Sequence, residues 1–251
     1  MMNRKIRQIA QKLIVIYTNA DTLTNKQEEL ILISEEHKAD ILIITEVKPK
    51  NSKIEYTTQH FKLPGYTTYS NVETQAGRGV IIYVKEEYSE LITEVNTTID
   101  VSECLWLEIR LLSQTLLLGC IYRSDDKSSD ANNSNMCTMI SNMAKRNNTH
   151  FVLTGDYNLP DINWDTVSTN KPEGHISRLF IDTMRDNFLC QNVTDPTRVR
   201  HGQQSNLLDL VITKDENTVS NISYLPSLGV SDHLCLKFDI NVLRPVNTSH
   251  R

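Results

Sequence analysis

The sequence lacks the features that mark several large protein classes. No apolar run approaches the ~20 residues that cross a bilayer; the longest, at 13–17 and 41–44, have the length of strands. The basic start, residues 1–7, is not followed by the apolar core of a secretory signal. No C-x-x-C spacing occurs, and the cysteines number five (Cys104, Cys120, Cys137, Cys190, Cys235), so neither a zinc site nor a disulfide framework is indicated. Cys104, Cys120 and Cys235 sit in strand-like apolar runs and read as small core residues. The expectation is an intracellular chain, of nucleus or cytoplasm and not secreted, in which the Asn-x-Ser/Thr triplets at Asn96 and Asn192 are chance matches. There is no internal repeat and no stretch of linker composition. There is also no basic surplus: 26 Lys and Arg face 31 Asp and Glu, a net charge of −5. That balance is awkward for a nucleic-acid binder. Acidic residues gathered around a metal would produce it and still leave local basic patches.

What is present is ordinary for a globular protein. A hydrophobic content of 39% in 251 residues provides a sizeable core, at the upper end of single-domain size. The reading is one domain over 1–243, a frayed tail over 244–251, and a monomer. Strands are expected at 13–17, 40–46, 80–84, 104–109, 115–122, 151–155, 207–213 and 234–240. Helical spacing of Leu23, Leu30, Ile33 and His37 predicts a helix capped by Asp21 or Thr22. A weak helix follows over 136–147 and a better one over 175–191, with a solvated loop of Ser, Asp and Asn between 124 and 135. Strand, helix, strand followed by a meander indicates an α/β fold with mixed sheets.

The chain is organised around residues 151–160. Phe151-Val152-Leu153 reads as a buried strand that Gly155 ends. Asp156 and Asn158 then lie at its C-terminal end, where α/β sheets place chemistry. Two residues apart on extended backbone, they share a face. A carboxylate and an amide so placed can orient a water. An Asx-turn is the plainer reading of the same residues.

Polar residues end the other apolar runs in the same way: Asn19, Asp21, Glu46, Tyr122, Asp209, Asp232 and His233. So many carboxylates repel unless a cation or a histidine pairs them, and oxygen ligands suit Mg²⁺, with Mn²⁺ as a substitute. Six elements in order, Asn19-Ala20-Asp21, Thr45-Glu46-Val47-Lys48, Tyr122-Arg123, Gly155-Asp156-Tyr157-Asn158, Leu208-Asp209-Leu210-Val211-Ile212-Thr213 and Ser231-Asp232-His233, resemble the endonuclease/exonuclease/phosphatase superfamily. The likeness spans about residues 11–240. Asp195-Pro196-Thr197-Arg198 resembles its non-LTR (LINE-type) retrotransposon branch.

The resemblance implies a four-layer α/β sandwich like that of deoxyribonuclease I, two packed mixed sheets flanked by helices. It implies a Mg²⁺-dependent endonuclease that nicks DNA by attack of an activated water, leaving 3′-hydroxyl and 5′-phosphate ends. A reverse transcriptase would be its neighbour in a longer polyprotein. Carried over to matching positions, Glu46 would be the main metal ligand, helped by Asn19 and Asp21. Asp156 would position or deprotonate the water and Asn158 would hold it with a phosphate oxygen. Asp209 would fix the tautomer of His233, Tyr122 and His233 would donate to phosphoryl oxygens, and Asp232 would complete the acidic rim. Arg123, Thr197, Arg198 and Ser231 are the candidate DNA contacts, with Arg200, His201, Lys48, Lys50 and Lys53 as further groove residues or plain solvated surface. Two positions depart from the pattern: Ser124-Asp125-Asp126 stands where Pro is frequent, and Tyr157 where Phe or Leu is. Two other readings keep the fold: hydrolysis of an inositol phosphate or sphingomyelin, and a non-catalytic nucleic-acid-binding derivative.

Overall fold

The computed structural model describes residues 8–73, 77–111, 114–124, 129–200, 202 and 204–245. The chain opens with β1 (Gln8–Asn19) and α1 (Gln27–His37). Then come β2 (Ile41–Thr45), β3 (Tyr66–Ser70), β4 (Val80–Lys85), β5 (Ile92–Glu94), β6 (Cys104–Leu111) and β7 (Gln114–Tyr122). Next, α2 (Asp130–Ala144) leads to β8 (His150–Asp156), and α3 (Ile176–Asp186) to β9 (Cys190–Gln191), β10 (Asp209–Thr213), β11 (Val219–Leu225) and β12 (Cys235–Pro245).

The strands form two six-stranded mixed sheets, ordered β11-β12-β1-β2-β4-β3 and β5-β6-β7-β8-β10-β9. Each holds one parallel pair, β1 with β2 and β7 with β8. Parallel neighbours need a crossover, and α1 and α2 supply it. Alternation along each strand sorts side chains into layers. Leu13, Val15 and Tyr17 of β1 meet Leu105, Leu107, Leu118 and Val152 between the sheets. On the far side of the first sheet, Ile16, Leu42 and Ile44 pack under Leu30 of α1. On the far side of the second, Trp106, Leu117 and Phe151 pack under Ile140 of α2 and Phe180 of α3. The expected four-layer sandwich is the fold.

Several local expectations are corrected. Helix α1 starts at Gln27 behind Lys26, with no side-chain cap. Asp21 and Thr22 cannot cap it because their φ angles are +38° and +84° and their backbone N–H groups are spent elsewhere, Asp21 N on Asn19 Oδ1 and Thr22 N on Glu46 O at 2.8 Å. The Ser/Asp/Asn run is helical from Asp130, capped by the Ser129 hydroxyl accepting from Asn132 N at 3.1 Å, so α2 starts earlier and ends earlier than expected. The third helix stops at Asp186. Gly155 does not end its strand, since β8 runs on to Asp156. The tail begins late: β12 pairs with β1 through Pro245, and 246–251 lie outside the described residues, as do Leu112-Ser113 between β6 and β7 and Asp125-Asp126 of the expected solvated loop. No helix among the described residues is long and apolar enough to cross a membrane.

Candidate active site

Strand register brings the polar strand ends to one rim. In the second sheet Asp156 lies opposite Tyr122 on the parallel side and opposite Asp209 on the antiparallel side. In the first sheet Asn19 lies opposite Thr45, with Glu46 the next residue. The rim is thus where β1, β2, β7 and β8 end and β10 and β12 begin. Gly155 permits the tight approach: at φ +152° a Cβ there would stand 1.8 Å from the Ile121 carbonyl oxygen of β7, so any side chain would push Asp156 out of line.

The buried half of the site is a chain of acceptors and donors. Tyr17 donates to Asp209 Oδ1 at 2.7 Å, and Asp209 Oδ2 lies 2.7 Å from His233 Nδ1. An acceptor there holds the proton on Nδ1 and turns Nε2 outward. That Nε2 faces Asp156 Oδ2 and Asp232 Oδ1, each at 3.8 Å. Asp156 is 1% exposed; its Oδ2 accepts from Asn19 Nδ2 at 2.9 Å and its Oδ1 from Asn158 N at 3.1 Å. The Asx-turn is therefore the structure that forms, with Asn158 at φ +48° and not on extended backbone, and both residues line the groove. Burial, then the Asp209 charge, pushes the Asp156 carboxyl up to about 7 against the opposing pull of His233 and Asn19. Burial opposes charge on His233, but Asp209, Asp156 and Asp232 outweigh it and raise the imidazole to about 9.

The other half is a cation site. Glu46 takes the Tyr122 hydroxyl on Oε1 and the Arg78 guanidinium on Oε2. Arg78 Nη2 reaches Asp21 Oδ1 at 2.8 Å. Burial, then the Glu46 charge, holds the Tyr122 hydroxyl far above its ordinary value, so it remains a donor. Asn19 turns its Oδ1 onto Asp21 N at 3.0 Å, fixing the backbone that presents the Asp21 carboxylate to Arg78. Asp21, Thr22, Glu46 and Asn158 all have φ between +38° and +84°, a backbone cost that concentrates at functional sites. The donors here are oxygens throughout, as Mg²⁺ or Mn²⁺ requires, and a guanidinium already stands in as their cation; the residues fit the ion. The ligand atoms of Asp156, Asp209 and His233 also lie within 4.8 Å of one another, though the Asp209–His233 hydrogen bond satisfies that pair.

Of the expected DNA contacts, three are turned inward. Arg123 is buried, with Nε on Asn133 Oδ1 at 2.9 Å and Nη1 on Asn158 O at 3.0 Å; it braces the Asp156–Asn158 turn, whose amide returns a bond to Arg123 O. The Thr197 hydroxyl is fully buried and accepts from Leu208 N and Asp209 N at 3.2 and 3.0 Å. Ser231 donates to Asn19 O at 2.7 Å and accepts from His233 N. Lys48 is buried too, on Val72 O. Each is a positioning residue because its polar atoms complete backbone that the rim would otherwise leave unpaired. Arg198 does reach the groove, but it and Arg200 both hold Asp232 Oδ2 at 2.8 Å, so Asp232 is a paired carboxylate. The groove above the site has a volume of about 930 Å³, and Lys50, Lys53, Arg78, Arg198 and Arg200 line it. His201 lies outside the described residues. Tyr157 packs 4.8 Å from the Phe180 ring centroid.

Three site residues carry no expected role. Tyr17 shares strand parity with Asn19, a signal that was available. Arg78 sits between two glycines in a connection with no periodicity. Glu103 precedes β6 and accepts from the backbone N of Arg78 and Gly79, a contact that only tertiary structure creates.

A sequence profile of the family described as endonuclease-reverse transcriptase matches residues 116–237. No curated protein matches the chain. Among solved structures, the endonuclease domain of TRAS1, a telomere-specific non-LTR retrotransposon, is 16% identical with a TM-score of 0.66, covering 92% of this chain and 98% of that one. An AP endonuclease from Leishmania major is 12% identical at a TM-score of 0.71, with 92% and 88% covered. A 3′ phosphatase from Neisseria, solved with a product DNA hairpin, is 12% identical at 0.65, with 92% and 100% covered. At these identities the structures establish the fold. The profile makes the part of the chain that carries Tyr122, Asp156, Asp209 and Asp232 similar to that family, and the structures make the whole fold similar to theirs.

Proposed function

We propose that this chain is a divalent-metal-dependent endonuclease that nicks DNA by attack of water on a phosphodiester, leaving 3′-hydroxyl and 5′-phosphate ends, as in target-site nicking by a retroelement. The observation that carries the reading is the register-locked rim: a buried Asp156 beside the Asp209–His233 pair, 3.8 Å from the imidazole, opening onto a groove that Lys50, Lys53, Arg198 and Arg200 line together with Glu55 and Glu73. The donor set of Glu46, Asp21 and Asn19 would hold Mg²⁺ or Mn²⁺, which when bound stabilises charge gathering on the phosphoryl oxygens.

The residues of the chain do the rest. Asp156, fixed by Asn19 and by its own turn, accepts the proton of the water, its raised proton affinity matching it to a base near neutral pH. His233, held by Asp209 with Nε2 outward, and Tyr122 donate to phosphoryl oxygens. Arg198 and Arg200 hold phosphates flanking the cut. DNA is the partner, and a reverse transcriptase is the neighbour in a longer polyprotein.

The test is relaxation of supercoiled plasmid by the purified chain with Mg²⁺ or EDTA, beside Asp156→Asn and His233→Gln. Nicking that needs the metal and falls by about 10²-fold or more in each variant, the scale of a lost general acid or base, supports the reading. A folded chain that binds the metal and leaves plasmid intact at low salt, where phosphate contacts are strongest, sinks it in favour of a small phosphoester.

A further inference from the structure

Arg78 stands where the carboxylates of the rim converge. Its Nη1 meets Glu46 Oε2, its Nη2 lies 2.8 Å from Asp21 Oδ1 and 3.1 Å from Thr22 Oγ1, and its Nε is 2.9 Å from Lys48 O. All three guanidinium nitrogens are therefore engaged, and the side chain is only 14% exposed. The backbone that presents it is built. Lys48 N donates to Arg78 O at 2.7 Å, and the buried Glu103 carboxylate accepts from Arg78 N and, at 3.0 Å, from Gly79 N. Gly77 and Gly79, at φ +91° and +80°, bend the chain around that carboxylate. The cation is thus held at both ends, head and backbone.

We propose that Arg78 is a resident cation of the acidic rim, which a divalent ion must displace from Glu46 and Asp21. This rests on the metal-dependent reading above and adds a mechanism of loading to it. With Oε1 on Tyr122 and Oε2 on Arg78, both Glu46 oxygens are engaged. An ion arriving there also meets a like charge within a few ångströms, a costly approach in a half-buried site. The displaced guanidinium stays in the groove, tethered by Glu103. Its planar fork suits a phosphate oxygen pair. DNA phosphate and metal would then favour each other's binding, since coupling between two ligands is reciprocal.

The measurement is Mn²⁺ affinity by titration calorimetry, without DNA, for the whole chain and for Arg78→Gln, with Glu46→Gln as the control that removes the ligand. We expect Arg78→Gln to bind Mn²⁺ at least roughly tenfold more tightly, the scale of one close charge pair. Glu103→Gln, which keeps the guanidinium but loosens its backbone, should fall between the two. Equal or weaker binding by a folded Arg78→Gln overturns the proposal and leaves the nuclease reading standing. No Mn²⁺ binding by either chain overturns both.

Discussion

At the scale of single residues, the site is governed by one shared problem: Asp156, Asp209 and His233 are all buried, and their charges must compensate. Both resolved shifts have the same sign. Asp156 is raised to about 7 and His233 to about 9, so the folded chain holds each proton more tightly than the unfolded chain does. The stability these protons contribute is complete below the ordinary values and is lost as pH rises through about 7 and then about 9. For the metal-free protein we expect the melting temperature to fall across that window, and to fall less in His233→Gln; a flat or rising profile counts against the assignment. Activity should be bell-shaped, rising as Asp156 ionises and falling as His233 loses its proton. Tyr17→Phe removes the donor on Asp209 Oδ1, leaving more of the carboxylate's charge to the imidazole. The alkaline limb should move to higher pH, at a stability cost of about 1–2 kcal/mol for the buried bond.

At the scale of elements, position in the sheet decides what the sequence reveals. All eight interior strands were legible as apolar runs, β1, β2, β4, β6, β7, β8, β10 and β12, and the four that were not, β3, β5, β9 and β11, are the sheet edges. Edge strands face water and carry polar residues, as in Tyr66-Thr67-Thr68-Tyr69-Ser70, so no alternation marks them. Helix starts are hidden where polar residues serve the site: Asp21 and Thr22 resemble caps, but Asp21 is bound to Asn19 and Arg78 and Thr22 to Glu46 O just past β2. The contact of β7 with β8 depends on Gly155. Gly155→Ala should cost ~3 kcal/mol or more, since overpacking against backbone cannot relax by rotamer change. Chemical denaturation measures it; a loss under 1 kcal/mol, within the range of ordinary surface changes, would show that β8 can shift away from β7.

At the scale of the whole molecule, a net charge of −5 coexists with a groove lined by Lys50, Lys53, Arg198 and Arg200. The acidic balance that argues against a nucleic-acid partner is an average over the chain, and the groove sets these cations beside Glu55 and Glu73. DNA affinity should therefore fall steeply with salt, by about 0.9 log units per log unit of salt for each phosphate engaged. Lys53→Glu should flatten that slope; an unchanged slope would remove Lys53 from the footprint.

The sequence by itself determined an α/β fold with mixed sheets, its interior strands and the polar residues at their ends, because strands buried on both faces read as apolar runs and the ends of such runs stand out; the packing of two sheets into a sandwich was implied by the resemblance. It also contained ordered motifs that resemble those of a superfamily. Only the tertiary structure decided which of those residues face the groove. Arg123, Thr197 and Ser231 are as polar as Arg198 but turn inward to complete backbone at the rim, a demand set by strands distant in sequence. Arg78 and Glu103 lie 25 positions apart and join the site through an arch of backbone that no local pattern encodes. Composition reports how many charges there are; register decides which of them meet.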